Sequence, residues 1–206
     1  MNALARTFAF SMLIASCGCQ TAEAQPPKDE PYPDTERLLA QPPRGWSAVF
    51  ASKRPGVRIA EYVPPGESAA EWTEKLSFES FGGEPLPDPI GLLVDIARDQ
   101  EATCNGFSDR NTFSGLDNGY PSSVRLFVCR NNPLTQKGQV TLVKAIQGTK
   151  QLYLITRARR VPPIESDATL PMAQEDMAEW SRYLRAISLC DSADAAHPCP
   201  SEKPSE

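Results

Sequence analysis

A single histidine, His197, sits beside Pro198 near the end of this 206-residue chain, and its isolation closes off most imidazole chemistry. Ser-His and Cys-His pairs need a placed imidazole base, and a zinc cage needs several His or Cys ligands at short spacing. No CxxC, GxSxG, HExxH or GxxxxGK[ST] occurs, so neither a metal site nor a nucleophile elbow nor a phosphate loop is legible. Nothing calls for a cofactor. An excess of basic residues is missing too: 21 Lys and Arg stand against 26 Asp and Glu, for a net charge of −5. Nucleic acid is therefore not an expected partner, because neutralising phosphates needs clustered cations. The one long apolar run lies at the front and is too short to span a bilayer.

That run, Thr7–Ser16, follows Arg6 and ends in Ile14-Ala15-Ser16-Cys17. A positive charge, an apolar stretch and a small-residue cleavage site make residues 1–16 a secretory leader. The tetrapeptide resembles a bacterial lipobox, which implies cleavage before a diacylated Cys17 and a membrane-tethered lipoprotein. Each buried methylene adds roughly 0.8 kcal/mol, so two or three chains on one residue anchor firmly. Gly18, standing where an Asp would favour the inner membrane, implies by the same resemblance an outer-membrane home. Ala22-Glu23-Ala24 is a second small-x-small site, whose use would release a soluble periplasmic or secreted protein starting at Gln25. Cleavage before Cys17 leaves Cys19 as an odd thiol, and both sites stay open.

Within a tether of residues 17–43, Gln25–Pro43 is proline-rich and charged and reads as a semi-extended spacer. Residues 44–190 have the size of a single domain with one core. Beyond it lies a tail of residues 191–206, clipped by a disulfide and disordered from Pro200. Cys104, Cys129, Cys190 and Cys199 are an even set, which in an oxidising periplasm reads as two bridges with three connectivities open. Cys104–Cys129 with Cys190–Cys199 is favoured, because the last two flank a short Asp/Ala/Pro-rich segment able to fold back.

Val57, Ile59 and Val63 alternate with Arg58 and Tyr62, as in a strand with one buried face, which Pro64-Pro65-Gly66 ends. Trp72, Leu76 and Phe78 mark a second strand, with Lys75, Ser77 and Glu79 on its other side and a short helical turn at Ser68–Glu71 before it. Asp88-Pro89 caps and starts a helix carrying Ile90, Leu93, Val94 and Ala97, which stops at Cys104 and Asn105-Gly106. Phe107–Pro121 reads as a polar loop. Strands follow at Ser123–Cys129, Gln139–Gln147 and Gln151–Arg159, the last two joined through Gly148-Thr149-Lys150. Ala173, Met177, Trp180, Leu184 and Ile187 then form one helical stripe, with Pro171 near its start, to be laid on the sheet. The expected class is α+β: a mainly antiparallel sheet of about five to six strands with two helices and two disulfides.

The stretches EYVPPGESAAEW (Glu61–Trp72), CRNNPLTQKGQVTLVKAIQG (Cys129–Gly148) and SLCDSADAAHPCP (Ser188–Pro200) resemble a family of small exported bacterial proteins with no assigned activity. A hairpin of long strands followed by a tryptophan-bearing helix is also loosely similar to PsbP-like α+β domains, which implies a binding or assembly role. Fold alone does not fix function.

Candidate site residues follow from charge and placement. Arg157 and Arg159 share one side of a strand and, with Arg160 and a neighbouring Arg130, form a candidate grip on an anion such as a lipid phosphate or peptide carboxylate. The competing expectation is a solvated strand end, or pairing with Glu61 or Glu79. Trp46, Trp72 and Trp180 suggest core packing more than an aromatic groove, and the segment Phe107–Pro121 is a candidate recognition loop or a stapled spacer. The leading expectation is a non-enzymatic envelope module that binds a protein, peptidoglycan or lipid partner. The alternative is a carboxylate-dependent enzyme on cell-wall glycan, using Glu74 with Glu79 or Glu61.

Overall fold

The computed structural model describes residues 35–165 and 170–200. The leader, Cys17, Cys19, the Ala22-Glu23-Ala24 site, most of the spacer and residues 201–206 lie outside them. The elements run β1 (Glu36–Leu39), β2 (Ser47–Arg54), β3 (Val57–Val63), β4 (Glu74–Gly82), α1 (Pro89–Thr103), β5 (Asn105–Asp117), β6 (Tyr120–Asn132), β7 (Lys137–Gln147), β8 (Gln151–Val161), α2 (Gln174–Ala186) and β9 (Ser188–Asp191).

Seven strands form one antiparallel sheet in the order β2-β3-β4-β8-β7-β6-β5, and β1 pairs with β9 in a separate two-stranded sheet. The class is α+β with two helices, as expected, but the sheet content exceeds five to six strands. The added strands have a common reason for escaping notice. β2 is exposed along most of its length, and β1 and β9 have only four residues each, so none shows a sustained alternation. β1 also lies inside the stretch read as spacer.

The largest correction is at Phe107–Pro121. It is no loop: β5 pairs with β6 from Asn105↔Asn131 to Asp117↔Tyr120. Asn118 and Gly119, with φ of 46° and 83°, make the turn, the paired left-handed conformations that suit a two-residue hairpin. Residues 108 to 116 are exposed, so the ladder with β6 holds this strand, and no apolar face announces it.

Strand parity gives the large sheet two apolar faces. On one, Leu76, Leu142, Ile146 and Ile155 pack against Trp180 and Leu184 of α2. On the other, Phe127, Val143, Ala145 and Leu154 meet Leu93 and Ala97 of α1. β7 and β8 are buried on both faces, and each fully buried aliphatic side chain contributes on the order of 2 kcal/mol.

α1 begins where the sequence predicts: Gly91 N donates to Asp88 Oδ2 at 2.8 Å and Pro89 holds the first turn. Its C-cap is Cys104, bridged to Cys129 on β6. Cys190–Cys199 is the second bridge. Both pairings agree with expectation and indicate an oxidising, exported location. No helix among the described residues is long and apolar enough to cross a membrane.

Two smaller expectations change. Ser68–Glu71 is not helical; Ser68 N donates to Glu71 O at 2.9 Å in a tight turn. Trp72 precedes β4 and packs with Val63 and Ala158, on the face opposite Leu76 and Phe78.

Candidate functional site

The paired arginines of β8 lie together, as their spacing requires, and both face α2. Arg157 is only 6% exposed. Its Nη1 lies 2.8 Å from Glu179 and its Nη2 3.3 Å from Glu74. Three rings surround the guanidinium, with the centroids of Trp180, Tyr183 and Trp46 at 4.9, 5.2 and 5.7 Å from Cζ. Arg159 Nε donates to Glu74 at 2.7 Å, and its other nitrogens bind Glu74 and Asp176. Burial by itself lowers the Arg159 pKa, but its hydrogen bonds to Asp176 and Glu74 and the charges of those carboxylates more than offset it and the net shift is upward. The carboxylates are Glu74, Asp176 and Glu179; Glu61 instead pairs with Lys75 at 2.6 Å. This network docks α2 on the sheet through charge-assisted bonds and cation–π contacts.

Arg160 and Arg130 do not join it. Arg160 projects to the opposite face, where Cζ sits 3.9 Å from the Trp72 ring and Nη1 donates to Ala70 O; burial lowers its pKa. Arg130 belongs to β6, and β7 separates β6 from β8. Its side chain packs against Gly106 instead.

The sheet also divides the carboxylates. Glu74 faces α2 with the arginines, whereas Glu79 lies on the α1 side, taking a hydrogen bond from Ser77 Oγ at 3.1 Å. Glu61 stands opposite Ser77 and so shares the face of Glu79. Burial raises the Glu79 pKa, the Ser77 hydrogen bond lowers it, the Glu61 charge raises it and Lys75 lowers it, with a net upward shift. Glu61 and Glu79 are thus the carboxylate pair on a common face; Glu74 is cut off from both by the sheet.

What sequence reasoning missed lies between α2 and the β5–β6 hairpin. There a cavity of about 560 Å³ is lined by Phe113, Leu116, Val124, Leu142, Leu184 and the polar residues Thr112, Asp117, Lys144, Ser181 and Arg185, among others. A volume of this size, with apolar side chains interleaved with polar groups able to orient a ligand, lies within the range of ligand sites. Its floor is Lys144, 2% exposed. The ammonium donates to Leu184 O at 3.1 Å and Ile187 O at 2.5 Å and pairs with Asp117, so a cation closes the C-terminal end of α2, where the helix dipole favours it. Ser188 Oγ donates to Asp117 at 2.8 Å. At the rim, Phe113 is 44% exposed; Leu116, 67% exposed, borders the cavity at the strand edge but turns to the α1 side by strand parity. The clue in the sequence is Lys144 itself, a charge inside the run Val140–Ile146.

His197 is structural. Its ring stacks on Tyr120 at 3.8 Å, and Nδ1 is 2.8 Å from Asn118 O. Burial, with Glu36, Asp191 and Asp194 nearby, pushes the Tyr120 phenol up to about 12. A Cβ on Gly119 would lie 2.7 Å from His197 Nδ1, so glycine is required there by packing as well as by φ. Among the described residues, no cluster of three His, Cys, Asp or Glu side chains is arranged to hold a metal ion, and their four cysteines are bridged. Comparison with known families and with curated proteins gives no match for this chain.

Proposed function

We propose that this chain is an exported envelope protein, tethered to the outer membrane through acyl chains on Cys17, and that its domain is a non-enzymatic binding or assembly module. The observation that carries the reading is the exposure of Phe113, 44%, beside the cavity under α2. Large apolar side chains held at the mouth of a preformed cavity are costly to leave in water and mark a recognition surface. The strand-end arginines support α2 from beneath, and the segment Phe107–Pro121 supplies one wall of the cavity as a rigid strand.

A photo-crosslinking residue at position 113 in intact cells is expected to give an adduct of defined mass that the same residue at position 50 does not. Phe50 is similarly exposed, at 46%, on the remote strand β2. Equal adducts at the two positions, or none at 113, overturn the binding surface. The tether has a separate test: Cys17→Ser abolishes acyl labelling and membrane fractionation, and soluble wild-type protein beginning at Gln25 overturns it.

A second reading, a carboxylate-dependent enzyme on cell-wall glycan, draws support from Glu61 and Glu79 on one face, with Glu79 held toward its acid form as glycoside chemistry needs. Muropeptide profiles of a deletion strain that match the parent remove it.

A further inference from the structure

β5 ends the large sheet, so the backbone groups on its outer side face no strand. Unpaired groups of this kind are the condition under which an extended chain adds to a sheet. Neither helix layer hides the edge, since residues 108 to 116 are exposed. The bulge at Thr112, whose Oγ1 donates to Val124 O at 3.0 Å, interrupts the ladder; Phe113 N donates to Asn111 Oδ1 and its carbonyl accepts from Ser123 Oγ, which leaves the stretch from Ser114 to Asp117 as the regular edge beside the cavity.

Charge favours one class of occupant. Arg110 and Phe113 stand opposite Leu126 and Val124, residues on one face of β6, so both project toward the α2 side. Arg185 lies across the cavity on the last turn of α2. Both arginines are exposed, and neither forms an ion pair among the described residues. Asp117, the carboxylate in the lining, is bound by Lys144. The mouth is therefore cationic in a chain whose net charge is −5.

Building on the binding-module reading, we propose that the occupant is an extended acidic-apolar segment of a partner protein, added as a strand to β5 from Ser114 to Asp117. Its backbone amides and carbonyls meet the open edge. Every second side chain of an extended chain turns to the same face, so an apolar residue enters the cavity between Phe113 and Leu184 while a carboxylate two positions along, on that same face, reaches Arg185 or Arg110. An acyl carboxylate fits the apolar walls and the cations, but it has no amides to use the edge; the edge selects a peptide.

The probe is a library of extended hexapeptides in which Glu or Asp stands two positions from Leu, Val, Ile or Phe, so that both kinds share a face, read by fluorescence polarisation against the whole mature chain. The expected result is saturable binding that weakens about tenfold in Arg185→Glu, as a reversed interface charge does, and falls with added salt. Replacing the acidic residues by lysine, or methylating alternate backbone nitrogens, should abolish it. Equal binding of the lysine or N-methyl peptides overturns the proposal, as does binding of laurate with no binding of any peptide. Failure of every peptide alongside a position-specific adduct at 113 discards strand addition and leaves the binding surface standing; failure of both discards the two together. Arg185 and Phe113 are at the surface, so the Arg185→Glu and Phe113→Asp variants retain the fold, and Phe113→Asp is expected to repel the acidic peptides and to prevent binding.

Discussion

Lys144 Nζ lies 2.5 Å from the carbonyl oxygen of Ile187, so a lysine from the middle of β7 fixes the point at which α2 ends and β9 begins. Asp117 completes the grip from the β5–β6 turn. A buried charge satisfied this fully is costly to disturb from one side.

Lys144→Met is therefore expected to destabilise the fold by about 3 kcal/mol, because it leaves Asp117 uncompensated. The double variant Lys144→Met with Asp117→Asn should recover much of the loss. Urea unfolding of the wild type, both single variants and the double variant measures the coupling, and additive losses would show that the pair is not coupled.

Arg157→Lys conserves charge but not shape. A lysine cannot spread over Trp180 and Tyr183 or bridge Glu74 and Glu179 with a planar fork. A loss of about 1–2 kcal/mol is expected from the weakened stacking and bridging, together with a shift in Trp180 fluorescence as the ring's surroundings change. Unchanged emission and unchanged stability would remove Arg157 from its place under α2.

Glu79 ties stability to pH. Its pKa in the folded state is above the ordinary carboxylate value, so the native state holds the proton more firmly than the unfolded chain does. That contribution is complete below the unfolded pKa and is lost as pH rises through the folded value. Glu79→Gln mimics the protonated acid, leaves stability unchanged in acid, and is expected to raise Tm by about 1–2 °C at neutral pH. Melting curves across pH 3–8 check the sign, with Ser77, Glu61 and Lys75 as the neighbouring groups.

How far the fold can be read from sequence follows from where each element gets its order. The hairpin of β7 and β8 is legible because both strands carry apolar residues on two faces and a glycine at the turn. α1 declares itself through Asp88-Pro89, and α2 through the stripe containing Trp180 and Leu184. β5 is illegible: Ser108, Asp109, Arg110 and Asn111 have no apolar partner to alternate with, and the strand exists because β6 offers it a ladder. β1 and β9, four residues each, pair only with each other as strands and are likewise too short to show an alternation. The candidate site suffers most from this, since one of its walls is β5. Its floor is a lysine in an apolar run, a residue whose own charge predicts solvent and whose partners come from two distant segments, the β5–β6 turn and the end of α2.

The short pairing of Glu36–Leu39 with Ser188–Asp191 has a mechanical side. Ser192 N donates to Thr35 O, and Glu36 takes hydrogen bonds from Thr149 N and Tyr153 Oη. A pull on the chain ahead of Thr35 first strains a ribbon welded by sulfur to the segment ending at Cys199, and reaches the seven-stranded sheet through the bonds of Glu36 to Thr149 and Tyr153. Tension from the proposed stalk would enter at that small clasp, and Ser188, which stands opposite Leu39 and bonds Asp117, would carry it on toward the floor of the cavity beside α2.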